Sequence, residues 1–379
     1  MKKTQYLLSI LAIITIMLAG CGDKSAEGNK ASGKSKQADG FKEQETFELD
    51  GPVNMTTFSF DEEGTTLFWG ETNGGMGDDA RRYVWLDGDV KELDMEKYDQ
   101  FAMLSPSGTI INSQSDHDKD ENSILEYDPS TDEEESFVIS DNDHNEYPLP
   151  GYGTYIQDPR TYVHTETNTK FDDSETFLWD IDNDEYTDMT FIQDIKKDVG
   201  KDELTSYPHF FLSEDASTVY ATVSDDGIFA YDMEKGETEN LLSTDNIMPV
   251  DTYTTTLTSD EAHIAYAVNE SEDDEFSIVF NALDLDSEET IEIGEGNALF
   301  TLSDGNIIII DKNDDEQDVK YFDFETEELE TIHTIKEEEN QEIDNITVSL
   351  DGSTIAYGYT EYDEDNDDST WHMTILSNQ

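Results

Sequence analysis

The 379-residue chain contains one cysteine, Cys21, and only 21 lysines and arginines against 92 aspartates and glutamates. A single cysteine can form no internal disulfide and offers no thiolate pair for a structural zinc site. The formal charge of −71 repels phosphate backbones and excludes nucleic acid as a partner. We expect the acidic excess to be mostly solvated surface, screened by a salty, halophilic external medium.

Long apolar runs are also missing. The run over 6–17 follows two lysines and has about 12–15 apolar residues, too few to span a bilayer comfortably. A basic start, a short apolar stretch and small residues before Cys21 are typical of a secretory signal. Leu18-Ala19-Gly20-Cys21 resembles the lipobox of bacterial lipoproteins. The resemblance implies that Cys21 receives diacylglycerol, with palmitate among its acyl groups, and becomes the first residue of the mature chain.

The first 42 residues therefore divide into a signal peptide and a spacer. Residues 1–20 are the predicted lipoprotein signal peptide, and 21–42, rich in Gly, Ser, Ala and Lys, form a predicted flexible, lipid-anchored tether. Two acyl chains give stable anchoring. We expect the remaining domain, 43–379, on the extracytoplasmic face of the cell membrane.

One pattern recurs along that domain. A strand, a tight corner and a second strand return at intervals of about 45 residues. The serine before each corner marks the copies: Ser59, Ser105, Ser213, Ser259, Ser303 and Ser349. Each copy continues with an acidic loop, a third strand ending in Asp, and a fourth strand. Four short antiparallel strands per repeat predict a β-propeller blade.

The ends of the pattern predict how the ring closes. The gap after Ser105 leaves room for a degenerate copy at 153–167, and the last copy, 343–376, has only three strands. Residues 43–51 supply the missing strand. The sequence thus predicts an all-β, seven-bladed propeller of four-stranded antiparallel blades closed by the N-terminal strand, with six or eight blades as alternatives. Residues 191–208 predict a short helix over the rim.

This architecture over 43–379 resembles WD40-like and TolB-like propellers. No copy carries the Gly-His and Trp-Asp pair at the positions expected of true WD40 repeats. The family is functionally broad, so the resemblance implies a fold rather than an activity.

Motifs of catalysis are absent from the sequence. No Gly-x-Ser-x-Gly or His-x-x-x-His occurs, so no catalytic residue is nominated and a non-catalytic role is favoured. The Asp residues at the turns have a sufficient structural role as caps of backbone N–H groups.

Calcium is the one ion that the sequence nominates, and only weakly. Asp116, Asp118 and Asp120 alternate like the start of a calcium loop. Glu121 then stands where the sharp turn needs Gly, and Glu126 comes one residue early for the bidentate ligand. Solvated acidic loops without a cofactor are the favoured alternative.

Propeller geometry gathers the acidic loops on one face. Loops between second and third strands emerge beside the blade-to-blade connections, so carboxylates should surround the axial funnel. The predicted funnel mouth consists of Asn54, Gln100, Tyr152, Tyr207, His209, Tyr253, Asn297 and Asn345. Such a set suits a cationic or polyhydroxylated ligand. Alternatively, these side chains fill the channel and the carboxylates only maintain solubility.

The functional expectation is a monomeric, membrane-anchored binding or scaffold lipoprotein that presents an acidic propeller face to a protein, peptide or glycan. The alternative is a metal-dependent, lactonase-like hydrolase with a cation in the axial funnel, which would require inward carboxylates or amides converging on one ion. The ligand itself is not named by any motif.

Overall fold

A computed structural model describes residues 40–71, 81–86, 88–94, 102–105, 107–116, 121–139, 161–166, 175–180, 185–202, 204, 208–244, 246–248, 254–270, 277–313, 315–363 and 368–378. These residues form antiparallel sheets, and nearly all their strands pair with neighbours in the chain. No helix in this part of the chain has the length and apolar character needed to cross a bilayer.

Six sheets have four strands each and are named blades I to VI. Blade I comprises β2 (Val53–Phe60), β3 (Thr66–Glu71), β4 (Arg81–Leu86) and β5 (Asp89–Leu93). Blade II comprises β6 (Met103–Leu104), β7 (Ile110–Asp116), β8 (Glu121–Asp128) and β9 (Glu133–Ile139). Blade III comprises β13 (His209–Leu212), β14 (Thr218–Val223), β15 (Gly227–Asp232) and β16 (Glu237–Ser243). Blade IV comprises β17 (Thr255–Leu257), β18 (His263–Asn269), β19 (Ile278–Asp284) and β20 (Thr290–Glu295). Blade V comprises β21 (Ala298–Thr301), β22 (Ile307–Asn313), β23 (Glu316–Asp323) and β24 (Glu328–Lys336). Blade VI comprises β25 (Gln341–Val348), β26 (Thr354–Asp363), β27 (Asp368–Ser377) and β1 (Lys42–Leu49).

The strands near the centre of each blade are buried on both faces, as β22 illustrates. It begins with four isoleucines, Ile307–Ile310, without the polar alternation of a half-exposed strand. The two odd-numbered isoleucines pack with Phe280 of blade IV, whereas the two even-numbered ones pack with Ile355 of blade VI. Successive side chains of a strand point to opposite faces. A strand between two blades must therefore be apolar at every position.

The N-terminal strand closes the ring, as predicted. β1 pairs antiparallel with β27, placing Phe47 opposite Met373 and Leu49 opposite Trp371. The same strand packs against Trp69 of blade I. It therefore completes blade VI, removes an exposed sheet edge and fills the space between the first and last repeats.

The prediction of seven four-stranded blades is wrong, because the described residues form six. The third repeat contributes a three-stranded sheet in the order β10-β11-β12. Its strands are β10 (Thr161–Glu166), β11 (Glu175–Asp180) and β12 (Glu185–Met189), and the helix α1 (Phe191–Val199) follows them. The predicted fourth strand, 186–192, ends early because Phe191 and Ile192 begin the helix. The predicted first strand of this repeat, 153–157, lies outside the described residues.

Helix α1 confirms the short helix expected within 191–208. Phe191, Ile192 and Ile195 are buried against blade III and the three-stranded sheet. Asn240 Nδ2 of β16, the outer strand of blade III, donates a hydrogen bond of 2.7 Å to Asp198 Oδ2 of the helix. Phe191 and Ile192, which the sequence pattern had assigned to a fourth strand, thus lie in the helix and pack onto the rim of blade III.

The corners between first and second strands share one hydrogen-bond pattern. In blade VI, Ser349 N donates to Thr354 O (2.9 Å), and Thr354 N donates to Ser349 Oγ (3.0 Å). Equivalent pairs of bonds begin at Asp61, Ser105, Ser213 and Thr258. In blade V the corner begins at Leu302, whose N donates to Asn306 O without a side-chain bond. The markers Ser59, Ser259 and Ser303 therefore lie one or two residues from the residue that begins the corner, and Ser105, Ser213 and Ser349 are correct.

Adjacent corners are also joined across blades. Ser303 N of blade V donates to Leu350 O of blade VI (2.6 Å), and Asp351 N donates to Glu62 O of blade I (3.1 Å). Because these bonds use backbone groups that the corners leave free, they hold neighbouring blades at a fixed spacing.

Candidate functional site

The predicted funnel-mouth residues are only partly described. Gln100, Tyr152, Tyr207 and Tyr253 lie outside the described residues, as do Cys21, Asp118 and Asp120. Asn54 lies in β2 opposite Gly70, and only its backbone is described. The side chains of His209, Asn297 and Asn345 are described.

His209 belongs to the packing between blades III and IV. It is 4% exposed, and its ring stacks on Phe211 with centroids 4.6 Å apart and planes at 24°. Phe211 in turn packs with the apolar residues that separate the two blades. Burial lowers the pKa of His209 to about 3, so the imidazole is neutral at physiological pH.

The side chains of the two asparagines form hydrogen bonds with the backbone. Asn345 Nδ2 donates a hydrogen bond of 2.9 Å to Val53 O, from blade VI to blade I. Asn297 Oδ1 accepts one of 2.8 Å from Lys312 N within blade V. These bonds give both side chains a structural role.

The acidic loops between second and third strands fall largely outside the described residues. In the described parts of these loops, carboxylates form ion pairs with lysines. Lys201 Nζ donates to Asp226, which is 8% exposed, and Lys336 pairs with Glu316. The described residues contain no group of three His, Cys, Asp or Glu side chains placed to hold a metal ion. Calcium at Asp116 and its neighbours stays a prediction.

The turn aspartates cap backbone N–H groups, which confirms their structural role. Each carboxylate accepts hydrogen bonds from the backbone nitrogens two and three residues further on, at Asp128, Asp232, Asp284 and Asp323. Hydrogen bonds from Ser130 hold the pKa of Asp128 below its ordinary value, and those from Ser287 do the same for Asp284.

A groove that the sequence did not predict lies between blades III and IV. Its volume is about 480 Å³, and its lining residues are Thr218, Tyr220, Ala230, Asp232, Lys235, Glu237, Thr238, Glu239, Leu241 and Leu285. The strand register explains how they meet. Tyr220, Ala230 and Glu239 lie side by side across β14, β15 and β16. Leu285, from the turn after β19, forms the opposite wall.

The groove depends on a small residue at one position of the repeat. Ala230 lies two residues before the turn Asp232, and in blade V the corresponding residue before Asp323 is Tyr321. Tyr321 accepts a hydrogen bond of 2.7 Å from Asn306 Nδ2 and fills its site. A methyl group at Ala230 leaves that volume open. The difference between alanine and tyrosine is visible when "GIFAYD" is compared with "VKYFD". Only the structure shows that the neighbouring blade leaves the space above Ala230 open.

The groove combines an apolar floor with a negative rim. Tyr220, Leu241 and Leu285 are half-buried, while Glu237 and Glu239 are exposed. Burial, reinforced by nearby carboxylates, raises the pKa of Tyr220, which keeps its hydroxyl neutral. The arrangement can accommodate an apolar stem with a positive end.

The lysine of the groove already has a partner. Lys235 Nζ forms an ion pair with Asp232, and hydrogen bonds from Lys235 hold the pKa of that carboxyl below its usual range. Asp232 also caps its own turn, so its carboxylate has a structural role. Glu237 and Glu239 form no ion pair with any residue in the described part of the chain.

Solved structures resemble this fold over most of its length. An oligogalacturonate lyase in complex with manganese matches with a TM-score of 0.55 and 11% identity, covering 89% of this chain and 96% of that chain. An oligogalacturonate lyase from Vibrio parahaemolyticus matches with 0.53 and 12%, covering 88% and 96%. The β-propeller domain of the Trilobed protease from Pyrococcus furiosus matches with 0.49 and 12%, covering 81% and 91%.

No protein-family profile and no curated protein sequence matches the chain. At identities of 11% and 12%, structural likeness demonstrates shared fold alone. Together with the six four-stranded sheets, it establishes that the chain is a β-propeller.

Proposed function

We propose that this chain is a lipid-anchored, non-catalytic binding protein on the outer face of the cell membrane. It presents an acidic propeller surface to a protein, peptide or glycan partner. The proposal combines the lipobox-like Leu18-Ala19-Gly20-Cys21 with a closed, rigid fold whose surface carries the excess negative charge.

The observation that supports it is the location of that charge. Of the acidic residues whose side chains are described, only Asp61, Glu71 and Asp226 are buried. The other acidic side chains that are described are partly or fully exposed, and the chain has 92 acidic against 21 basic residues. Such a surface attracts cations and cationic partners and repels polyanions, over about 8–10 Å at moderate salt.

Membrane anchoring is tested through Cys21. Metabolic labelling with a fatty-acid analogue should mark the wild-type chain in the membrane fraction and leave a Cys21→Ser variant unlabelled. A Ser25→Ala variant, changed in the predicted tether, is the matched control. Equal labelling of all three chains would exclude acylation at Cys21.

Partner class is tested with oligomers of equal length and different charge. The full chain in detergent should bind tetralysine, with an affinity that falls as salt is raised, and should bind maltotetraose more weakly and tetragalacturonate least. Preference for tetragalacturonate, or binding of none of the three, would refute the proposed acidic binding surface.

A second candidate is a metal-dependent enzyme, favoured by the likeness to a manganese-bound oligogalacturonate lyase. Galacturonate oligomers are polyanions, which a chain of formal charge −71 repels unless bound cations intervene. Thermal unfolding with Mn²⁺ or Ca²⁺, and then with chelator at constant ionic strength, tests for a native-state metal site. A rise in the unfolding midpoint that chelator reverses, together with turnover of galacturonate oligomers, would favour this candidate.

A further inference from the structure

We infer that the groove between blades III and IV receives a lysine or arginine side chain of a peptide or protein partner. This inference rests on the proposed binding function and assigns its site and the chemistry of its ligand. It places recognition on the side of the ring rather than at the axial funnel.

The shape of the groove fits a long aliphatic stem. Tyr220, Leu241 and Leu285 form its apolar surface, and Ala230 leaves the floor open. The volume of about 480 Å³ holds a whole basic side chain with part of its backbone. Lysine and arginine bury their methylene stems on such surfaces while keeping the charged end near water. The ring of Tyr220 adds a face for a cation–π contact.

The charge at the rim selects a cation. Glu237 and Glu239 both lie on β16, two residues apart on the same face of the strand, and both are exposed. Neither forms an ion pair within the described ranges; Lys235 is paired with Asp232 and also attracts Glu237 at longer range. The three carboxylates Asp232, Glu237 and Glu239 outnumber the single lysine of the groove, so an ammonium or guanidinium group is attracted and an anionic ligand repelled.

The repeat provides a matched glutamate pair on blade V, with a large side chain beneath it. On blade V, Glu328 lies opposite Asp323 and Glu330 opposite Tyr321. On blade III, Glu237 lies opposite Asp232 and Glu239 opposite Ala230. The two glutamate pairs therefore have the same place on the outer strand. Blade V has Tyr321 in place of Ala230 beneath the second glutamate, and Thr326 in place of Lys235 in the turn.

The experiment measures tetralysine binding to the full chain in detergent by isothermal titration. The double variant Glu237→Gln/Glu239→Gln should weaken binding about tenfold, because two charge contacts are lost. The control Glu328→Gln/Glu330→Gln removes the same charge from blade V and should change the affinity less than about twofold. Tetra-acetyllysine, which keeps the stems without the charges, should not bind detectably.

A filling variant tests the groove independently of charge. Ala230→Tyr introduces the residue that blade V carries at the same position and should weaken tetralysine binding about as much as the glutamate pair does. Its unfolding midpoint checks that the blade is intact. If that midpoint falls, Ala230→Leu repeats the filling with a smaller side chain.

The outcomes separate the groove from the general function. Equal weakening by both glutamate pairs would assign binding to diffuse surface charge and overturn the groove, while leaving the acidic binding surface in place. Unchanged affinity in the folded filling variant, or tight binding of tetra-acetyllysine, would also overturn the groove. Absence of tetralysine binding to the wild-type chain would overturn the proposed function itself.

Discussion

Asn345 Nδ2 donates a hydrogen bond of 2.9 Å to the carbonyl oxygen of Val53, which is 292 residues away in the chain. The bond crosses from the first strand of blade VI to the first strand of blade I, beside the place where β1 pairs with β27. It satisfies a backbone acceptor at the start of β2. Ring closure therefore depends on both a strand pairing and a side-chain contact between the first and last repeats.

Removal of the closing strand should destabilise the whole ring. Deleting residues 43–50 removes buried Leu49, whose burial contributes about 1.5–3 kcal/mol, and half-buried Phe47, and it exposes the edge of β27. We expect a lower thermal midpoint and faster proteolysis of the domain. Deleting residues 30–37, an equal length of the predicted tether, is the control and should leave both measurements unchanged. Unaltered stability of the 43–50 deletion would mean that β1 does not close the ring.

The side-chain contact can be tested separately. Asn345→Leu keeps the shape of the side chain but removes its donor, leaving the Val53 carbonyl without this partner. The expected loss is about 1 kcal/mol in the free energy of unfolding, measured with denaturant. Asn297→Leu, which removes an exposed bond between the start of β21 and the end of β22 within blade V, should cost less than about 0.5 kcal/mol. A larger loss at Asn297 than at Asn345 would contradict the closing role.

Local chemistry made part of this fold predictable from sequence. An Asp that is followed by a turn caps the same two backbone N–H groups wherever it occurs, so Asp232 and Asp323 could be assigned without knowledge of their surroundings. The closing strand was predictable as well, because residues 43–51 alternate like a strand and the last repeat lacked one. These features depend only on neighbours in the chain or on the count of strands.

The remaining features depend on contacts between blades. Phe191 and Ile192 fit both a strand of period two and a helix of period 3.6, so the sequence could not show that the third repeat ends in a helix. His209 was placed at the funnel mouth because it begins a first strand, and neither its burial nor its stacking on Phe211 could be read from that position. The groove beside Ala230 was missed because a small residue opens a cavity only when the neighbouring blade does not fill it.

The turns between third and fourth strands predict a stabilising glycine. Glu327, the fourth residue after Asp323, has φ 54°, and Gly236, the fourth after Asp232, has φ 64°. A left-handed conformation costs about 1–2 kcal/mol for most residues but little for glycine, whose freer unfolded chain offsets part of that gain. Glu327→Gly should therefore raise the free energy of unfolding by about 0.5–1 kcal/mol.

The control for this substitution separates conformation from charge. Glu327→Gln removes the same negative charge but keeps a side chain at positive φ. We expect it to have less effect than the glycine variant in denaturant unfolding at matched salt. Equal stabilisation by Gln and Gly would attribute the gain to reduced charge repulsion rather than to the backbone.

His209 should make the stability of the ring depend on pH. Burial lowers its pKa to about 3 in the folded chain, whereas an exposed histidine titrates near 6.5. As the pH falls below about 6.5, the unfolded chain takes up a proton that the folded chain does not, so stability falls with pH. From pH 7 to pH 5 this linkage amounts to about 2 kcal/mol.

His209→Phe keeps the stacking on Phe211 and removes the titration, so the variant should lose about 2 kcal/mol less than the wild type over that interval. All other titrating groups are common to the two proteins and cancel in the comparison. Equal losses for the two proteins in denaturant unfolding over this pH interval would show that the imidazole of His209 reaches solvent.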